Sequence, residues 1–311
     1  MRSYSRLLLG LLLVALLALV APLVYLRFAA PLVGLAVFVV GGVYLVAAQL
    51  AFNAGLIVDV VAPISALLVG AIGTIAWSQL AESRAHEAVA RDNALLERRV
   101  RERTIELWET QVEICQRLGV AVESNDAETG RHIERIGSFC ERLALTVGMS
   151  PGDAELLRHA SALHDVGKVG IPEHILTKPG PLDAGEWEVM KTHTTIGANI
   201  LAGSGSTLVQ LAETIALTHH EHWDGRGYPA GLHGEQIPLA GRICAVCDVF
   251  DALLSTRPYK HAWSFDDAIA EIERLAGRQF DPELVAAFVP IAAELHREWF
   301  PVPAAAAVPA G

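Results

Sequence analysis

The sequence predicts an all-α chain with N-terminal transmembrane helices, a long linker helix and one helical soluble domain. Three observations carry this reading. The first 80 residues are apolar and almost uncharged, and the stretch from Ala81 to Leu118 contains neither Pro nor Gly. Beyond it, apolar residues recur at three and four without a sustained strand-like alternation. The 311 residues leave room for a membrane region plus one sizeable domain.

Residues 1–80 hold three apolar runs, about 7–26, 31–50 and 56–77. Each approaches the ~20 residues that cross a bilayer at ~1.5 Å rise per residue. The breaks at Pro22 to Pro31 and Phe52 to Gly55 suit short turns. Three spans are expected; the alternative is a cleaved signal peptide followed by two spans, although Pro22 blocks the obvious cleavage point after Ala21. Asp59 reads as interfacial. Arg84, Arg91, Arg98, Arg99, Arg101 and Arg103 crowd the region after the third run, whereas the second loop has no Lys or Arg. The positive-inside bias therefore puts the C-terminal domain in the cytoplasm. Three spans then leave Arg2 and Arg6 outside, against the same rule.

The linker, 81–111, continues the helix towards Leu118. Val89, Leu96, Val100, Leu107 and Ile114 follow one another at spacings of 7, 4, 7 and 7, which keeps them on one seam interrupted by Asn93, Arg103 and Thr110. Two readings fit: a weak parallel coiled coil in a homodimer, or a plain solvated helix. Residues 112–300 form the soluble domain, in which Gly and Pro clusters separate helices (MSPGD, TKPGPLDAG, DGRGYPAGLHG). The tail 301–311, PVPAAAAVPAG, has nothing to pack with and is expected to be disordered.

Charge narrows the function. The net charge is −11, and the first 80 residues carry +2, which leaves −13 on the rest. So acidic a domain repels a polyanion and argues against binding a nucleic-acid polymer. A small phosphate ligand remains compatible if metal ions supply positive charge locally. Four cysteines are too few for a disulfide scaffold in a chain this long. Cys244 and Cys247 read as small buried thiols on a helix, with a redox or zinc pair as the alternative.

Nine of the twelve histidines lie between His132 and His233. Imidazoles interspersed with carboxylates are what a multi-metal site needs. Glu128 and His132 stand four apart, so a helix presents both on one face. His164 and Asp165 are adjacent and precede Gly167 and Lys168. His193 sits in MKTHTTIG, and His219 and His220 lead into Glu221 and WDGRGYP. Asp248 lies in AVCDVFDAL. Each fragment alone is bland; the set is hard to assign to a purely structural role. His159, His174, His222 and His233 read as surface or supporting residues, Glu221 and Asp224 as orienting groups, and Trp187 and Trp223 as packing residues rather than base stackers.

These motifs carry a resemblance. HDVGKVGIPEHILTKPGPL resembles the H-D-x-G-K segment of the HD phosphohydrolase superfamily. HHEHWDGRGYPAGLHGEQIPLAGRI with VFDALLSTRPYK resembles its HD-GYP subfamily. The similarity runs from about Val112 to Arg297, the whole soluble domain. It implies hydrolysis of cyclic di-GMP to pGpG or GMP and says nothing of the membrane part; the apolar runs and the arginines after them place the expected protein in the bacterial inner membrane. The resemblance further implies two or three divalent ions, iron or else manganese. Metal ligands would be His132, His164, Asp165, His193, His219, His220 and Asp248, with Glu128 added in trinuclear members. Asp165 and Lys168 would serve catalysis, and Lys168, Arg257, Lys260 and the Gly227, Tyr228 and Pro229 loop would meet substrate. That loop has also been linked to partner contacts, such as a GGDEF-domain protein. A binding module with little catalysis, or a hydrolase of another nucleotide such as cyclic GMP-AMP, are the competing functions. Two positions depart from the family pattern: Thr194 replaces a common proline and Gly241 a common alanine, and both are expected to loosen local geometry.

Overall fold

A computed structural model describes residues 30–54, 61–123, 129–256 and 261–300. The first apolar run, Asp59 and the tail 301–311 lie outside them. Two compact units divide between Arg103 and Thr104.

The first unit contains α1 (Ala30–Asn53) and the beginning of α2 (Val61–Glu123). Val43, Leu50, Val69 and Ile72 are exposed on these helices. Among the described residues, the segment Ile64–Val122 of α2 is the one helix long and apolar enough to cross a membrane. The α2 helix runs unbroken through the expected boundary at 80/81, because Ser78 to Ser83 contain no Pro or Gly to stop it. The seam residues Val89, Leu96, Val100, Leu107 and Ile114 are all exposed.

The second unit holds the domain. After α2 come α3 (Thr129–Thr146), α4 (Pro151–Ala160), two short 3₁₀ turns (Ser161–Leu163 and Val166–Gly170), α5 (Glu173–Leu176) and α6 (Ala184–Lys191). They are followed by α7 (His193–Leu201), α8 (Thr207–Thr218), α9 (Leu239–Leu254), α10 (Phe265–Arg274) and α11 (Pro282–Trp299). No β-strand occurs among the described residues, only isolated bridges such as Asp224 to His233.

Local chemistry sets these boundaries. Ser150 accepts a hydrogen bond from the Asp153 backbone and precedes Pro151, a good first residue of a helix. Asp183 and Glu186 close a reciprocal capping box on α6. Ser264 and Asp281 cap α10 and α11 by accepting from the backbone N–H groups of Asp267 and Glu283. Gly148, with φ of 87°, takes the left-handed conformation just beyond the end of α3.

Apolar faces of α3, α4, α8, α9 and α11 build the core. Phe139, Leu143, Leu157, Ile215, Ile243 and Phe288 are fully buried, and Phe250 meets the Phe139 and Phe288 rings edge-on at 5.8 and 4.9 Å. Cys140, Cys244 and Cys247 are buried unbonded thiols of this core.

Glycines allow three close approaches around the histidines. A Cβ on Gly119 would stand 2.3 Å from the Ala162 carbonyl oxygen, so α2 continues through this glycine pressed against the first 3₁₀ turn. On Gly241 it would stand 2.2 Å from Thr218 Oγ1. The glycine that was expected to loosen α9 instead lets it seat tightly on the end of α8. Thr194 likewise is buried, with its hydroxyl donating to the Lys191 carbonyl at 3.0 Å. On Gly167 the Cβ would stand 1.9 Å from the His193 carbonyl oxygen and 2.4 Å from the Gly197 nitrogen. Both are backbone atoms of α7 and cannot swing aside, so Gly167→Ala must push the second 3₁₀ turn off α7. The expected loss of unfolding free energy is about 2 kcal/mol or more, read from chemical denaturation. An unchanged midpoint would show that this contact is slack.

Candidate metal centre

Five parts of the domain deliver the clustered side chains. His132 lies in the first turn of α3, and His164 and Asp165 lie between the two 3₁₀ turns. His193 opens α7, His219 and His220 follow the last turn of α8, and Asp248 lies on α9. These residues converge into two groups, within each of which the ligand atoms all lie within 4.8 Å of one another. One group is Asp165, His193, His219 and His220. The other is His132, His164 and Asp248.

Asp165 connects them. Its Oδ1 is 3.3 Å from His193 Nε2 and 3.7 Å from His219 Nε2, while its Oδ2 is 3.2 Å from His164 Nε2. One carboxylate thus turns an oxygen to each group. Asp248 Oδ1 stands 3.9 Å from both His132 Nε2 and His164 Nε2.

The imidazoles are aimed by their other nitrogen. Nδ1 of His164, His193 and His219 lies 2.8, 2.7 and 3.0 Å from the carbonyl oxygens of Ser161, Met190 and Ile215. Donation from Nδ1 to a carbonyl leaves the Nε2 lone pair facing the centre, which is the tautomer a metal ligand needs. His132 is held differently, with Nδ1 2.5 Å from Asp251 Oδ2. Asp251 is fully buried and also accepts from Arg135, which in turn donates to Ser255 at 3.0 Å.

Does this site fit cations? His193 Nε2, His219 Nε2 and Asp165 Oδ1 are buried and make no hydrogen bond. Such atoms are costly to strand in a protein interior. Three of them converging, all lone-pair donors, fit a divalent ion of the iron, manganese or zinc type. Electrostatics agree. Burial lowers the His193 and His220 pKa values, which favours the neutral, ligating form. Burial alone would raise the Asp165 pKa, but the Lys168 ammonium and the His164 ring outweigh it and hold the carboxyl well below its ordinary range.

The remaining expected residues divide into two sets. Lys168 Nζ pairs with Asp165 Oδ2. Tyr228 stacks on His220 with centroids 4.9 Å apart, and burial raises its pKa, so the phenol stays protonated. Gly227 packs so tightly that a Cβ would stand 2.2 Å from the His222 nitrogen. The carboxylate of Glu221 accepts from the backbone N–H groups of Ala230 and Leu232 at 2.7 and 3.0 Å, which fixes the loop through Pro229. Glu128, Arg257 and Lys260 lie outside the described residues. His159, His174, His222 and His233 join neither group.

Two features were not anticipated. Asp251 is a buried anion in an apolar helix, three residues beyond Asp248 and therefore on the same face, and that spacing was the available signal. Trp187, expected to pack, is 47% exposed and turns its edge to Tyr228 at 6.3 Å.

Known proteins are similar to this domain. A family model described as HD domain matches residues 117–284. The 3′3′-cGAMP-specific phosphodiesterase 2 of Vibrio cholerae is 48% identical over 181 residues, covering 58% of this chain and 35% of that protein. A cyclic di-GMP phosphodiesterase of Thermotoga maritima is 46% identical over 201 residues, covering 65% and 55%. The cyclic di-GMP phosphodiesterase response regulator RpfG of Xanthomonas campestris is 42% identical over 221 residues, covering 71% and 58%. The chain therefore spans between about a third and three fifths of these relatives' lengths. Among solved structures, a cyclic GMP-AMP-specific phosphodiesterase of Vibrio cholerae aligns with a TM-score of 0.44 at 19% identity, covering 60% of this chain and 50% of that one. With its HD match spanning more than half of the sequence and its HD-GYP motifs intact, the chain belongs to the HD-GYP family of the HD domain superfamily.

Proposed function

We propose that this chain is a membrane-anchored, metal-dependent phosphodiesterase that hydrolyses cyclic di-GMP to pGpG or GMP. The observation that carries the reading is the shared carboxylate. Asp165 turns one oxygen to each of two imidazole groups, an arrangement suited to holding two cations side by side. A pair of bound divalent ions, iron or manganese, would supply hydroxide at neutral pH and offset the charge of an anionic diester.

The chain's own residues do the rest. Main-chain carbonyls and Asp251 orient the rings before substrate arrives, so little reorganisation is needed at the moment of reaction. Lys168 sits at the rim of both groups, partly exposed and paired with Asp165. From there its ammonium can donate to a non-bridging phosphate oxygen and stabilise the charge that builds in the transition state. The Gly227 to Pro229 loop, tied down by Glu221, closes one wall of the site.

The apolar exposed helices at the N-terminus and the arginines after them support a membrane anchor with the domain on the cytoplasmic side. The exposed seam on α2 supports a homodimer, and the Gly227 to Pro229 loop is the place for a GGDEF-protein contact. A second substrate reading, hydrolysis of 3′3′-cGAMP, is favoured by the 48% identity to a phosphodiesterase specific for it.

Purified full-length protein, stripped with a chelator and reloaded with iron or manganese, is expected to convert cyclic di-GMP faster than 3′3′-cGAMP and much faster than a simple aryl diester. The reverse order would transfer the assignment to 3′3′-cGAMP. The double variant His164→Ala with Asp165→Ala should lose bound metal and turnover together; activity persisting in the metal-free protein sinks the scheme. Asp251→Asn weakens the acceptor that orients His132. Its metal affinity should fall about 10- to 100-fold, with turnover recovering at high metal concentration. Unaltered affinity would remove Asp251 from the metal centre.

A further inference from the structure

An indole near the metal centre leaves nearly half of its surface open. The α6 helix buries none of its residues, and Trp187 is nearly half exposed. The helix is fixed without it: Asp183 and Glu186 cap its first turn, and Lys178 pairs with Glu186. What Trp187 does touch is Tyr228, edge to face, with the rings at 82°. Tyr228 in turn stacks on His220, a member of the Asp165 group. Successive ring contacts therefore join the half-exposed Trp187 to the cluster through Tyr228. Lys191 stands four residues after Trp187 on the same face of α6, its ammonium 5.9 Å from the Tyr228 centroid. This corner is contiguous with the site, aromatic and cationic.

We infer that Trp187 and Lys191 form a subsite that stacks a purine base of the dinucleotide while its phosphate lies at the metal centre. The inference rests on the dinucleotide reading above. A nucleotide joins a flat π-face to an anion, and the corner presents the matching pair in the same order: indole and ammonium outside, cluster within. An exposed indole next to an anion site gains most from such a partner, because stacking removes its apolar face from water and accepts any purine. The Lys191 ammonium, also paired with Glu188 at 2.8 Å, favours an electron-rich base edge over an aliphatic side chain. Neighbouring α7 begins with the ligand His193 immediately beyond α6, so base subsite and metal ligand share one short stretch of chain.

The test compares wild type, Trp187→Ala and Trp187→Phe in the full-length chain, detergent-solubilised and loaded with manganese. Equilibrium binding of the slowly hydrolysed bis-phosphorothioate analogue of cyclic di-GMP is measured beside metal content and KM for bis(p-nitrophenyl) phosphate, which has no purine. In Trp187→Ala, the Kd for the analogue should rise about tenfold, with metal content and the small diester's KM close to wild type. Phe should restore most of the affinity. The subsite is overturned by an unchanged Kd in Trp187→Ala, by Phe behaving as Ala, or by a loss of metal that accompanies the weaker binding. Should wild type bind the analogue yet hydrolyse nothing, the hydrolase reading fails while Kd still decides the subsite; should it not bind the analogue, the subsite is wrong.

Discussion

The carboxylate of Asp165 is the constraint on which the domain depends. It is buried among imidazoles, holds its charge against that burial, and turns each oxygen to a different set of ring nitrogens. That arrangement has little value for folding alone. It leaves lone pairs without hydrogen-bond partners in the interior, where such atoms are expensive. A divalent cation would complete the set, and the surrounding turns and helices hold the rings where it would bind.

The close contacts around the site follow from this. Gly167 lets the turn bearing Asp165 lie against the backbone of α7, which begins with His193. Gly241 does the same where α9, the bearer of Asp248, meets the end of α8 beside His219. A side chain at Gly167 would meet backbone atoms of α7 and push Asp165 away from His193, whereas one at Gly241 would meet first the Thr218 hydroxyl. The core behind them, centred on Phe139, Phe250 and Phe288, gives α3 and α9 the rigid backing that a preorganised site requires.

Much of this was legible in the residues. The period of three and four marked the helices, and the histidine and aspartate motifs named seven side chains that the fold gathers into two groups. Their division between those groups was not legible, because Asp165 faces both only through the turn that carries it. Asp251 escaped because a buried carboxylate on an apolar helix has meaning only once His132 and Arg135 are seen against it. Trp187 was read as a packing residue; about half of its surface is covered and it meets Tyr228, on a helix with no fully buried residue. Gly241 was misread as a weak point; its lack of a side chain is what admits Thr218.

Metal stoichiometry tests the central claim most directly. Elemental analysis of full-length protein purified without oxygen should find at least two iron or manganese ions per chain, and at most one when Asp165 is replaced by alanine. A single ion in the wild-type chain, or a count that ignores the loss of Asp165, would contradict the account.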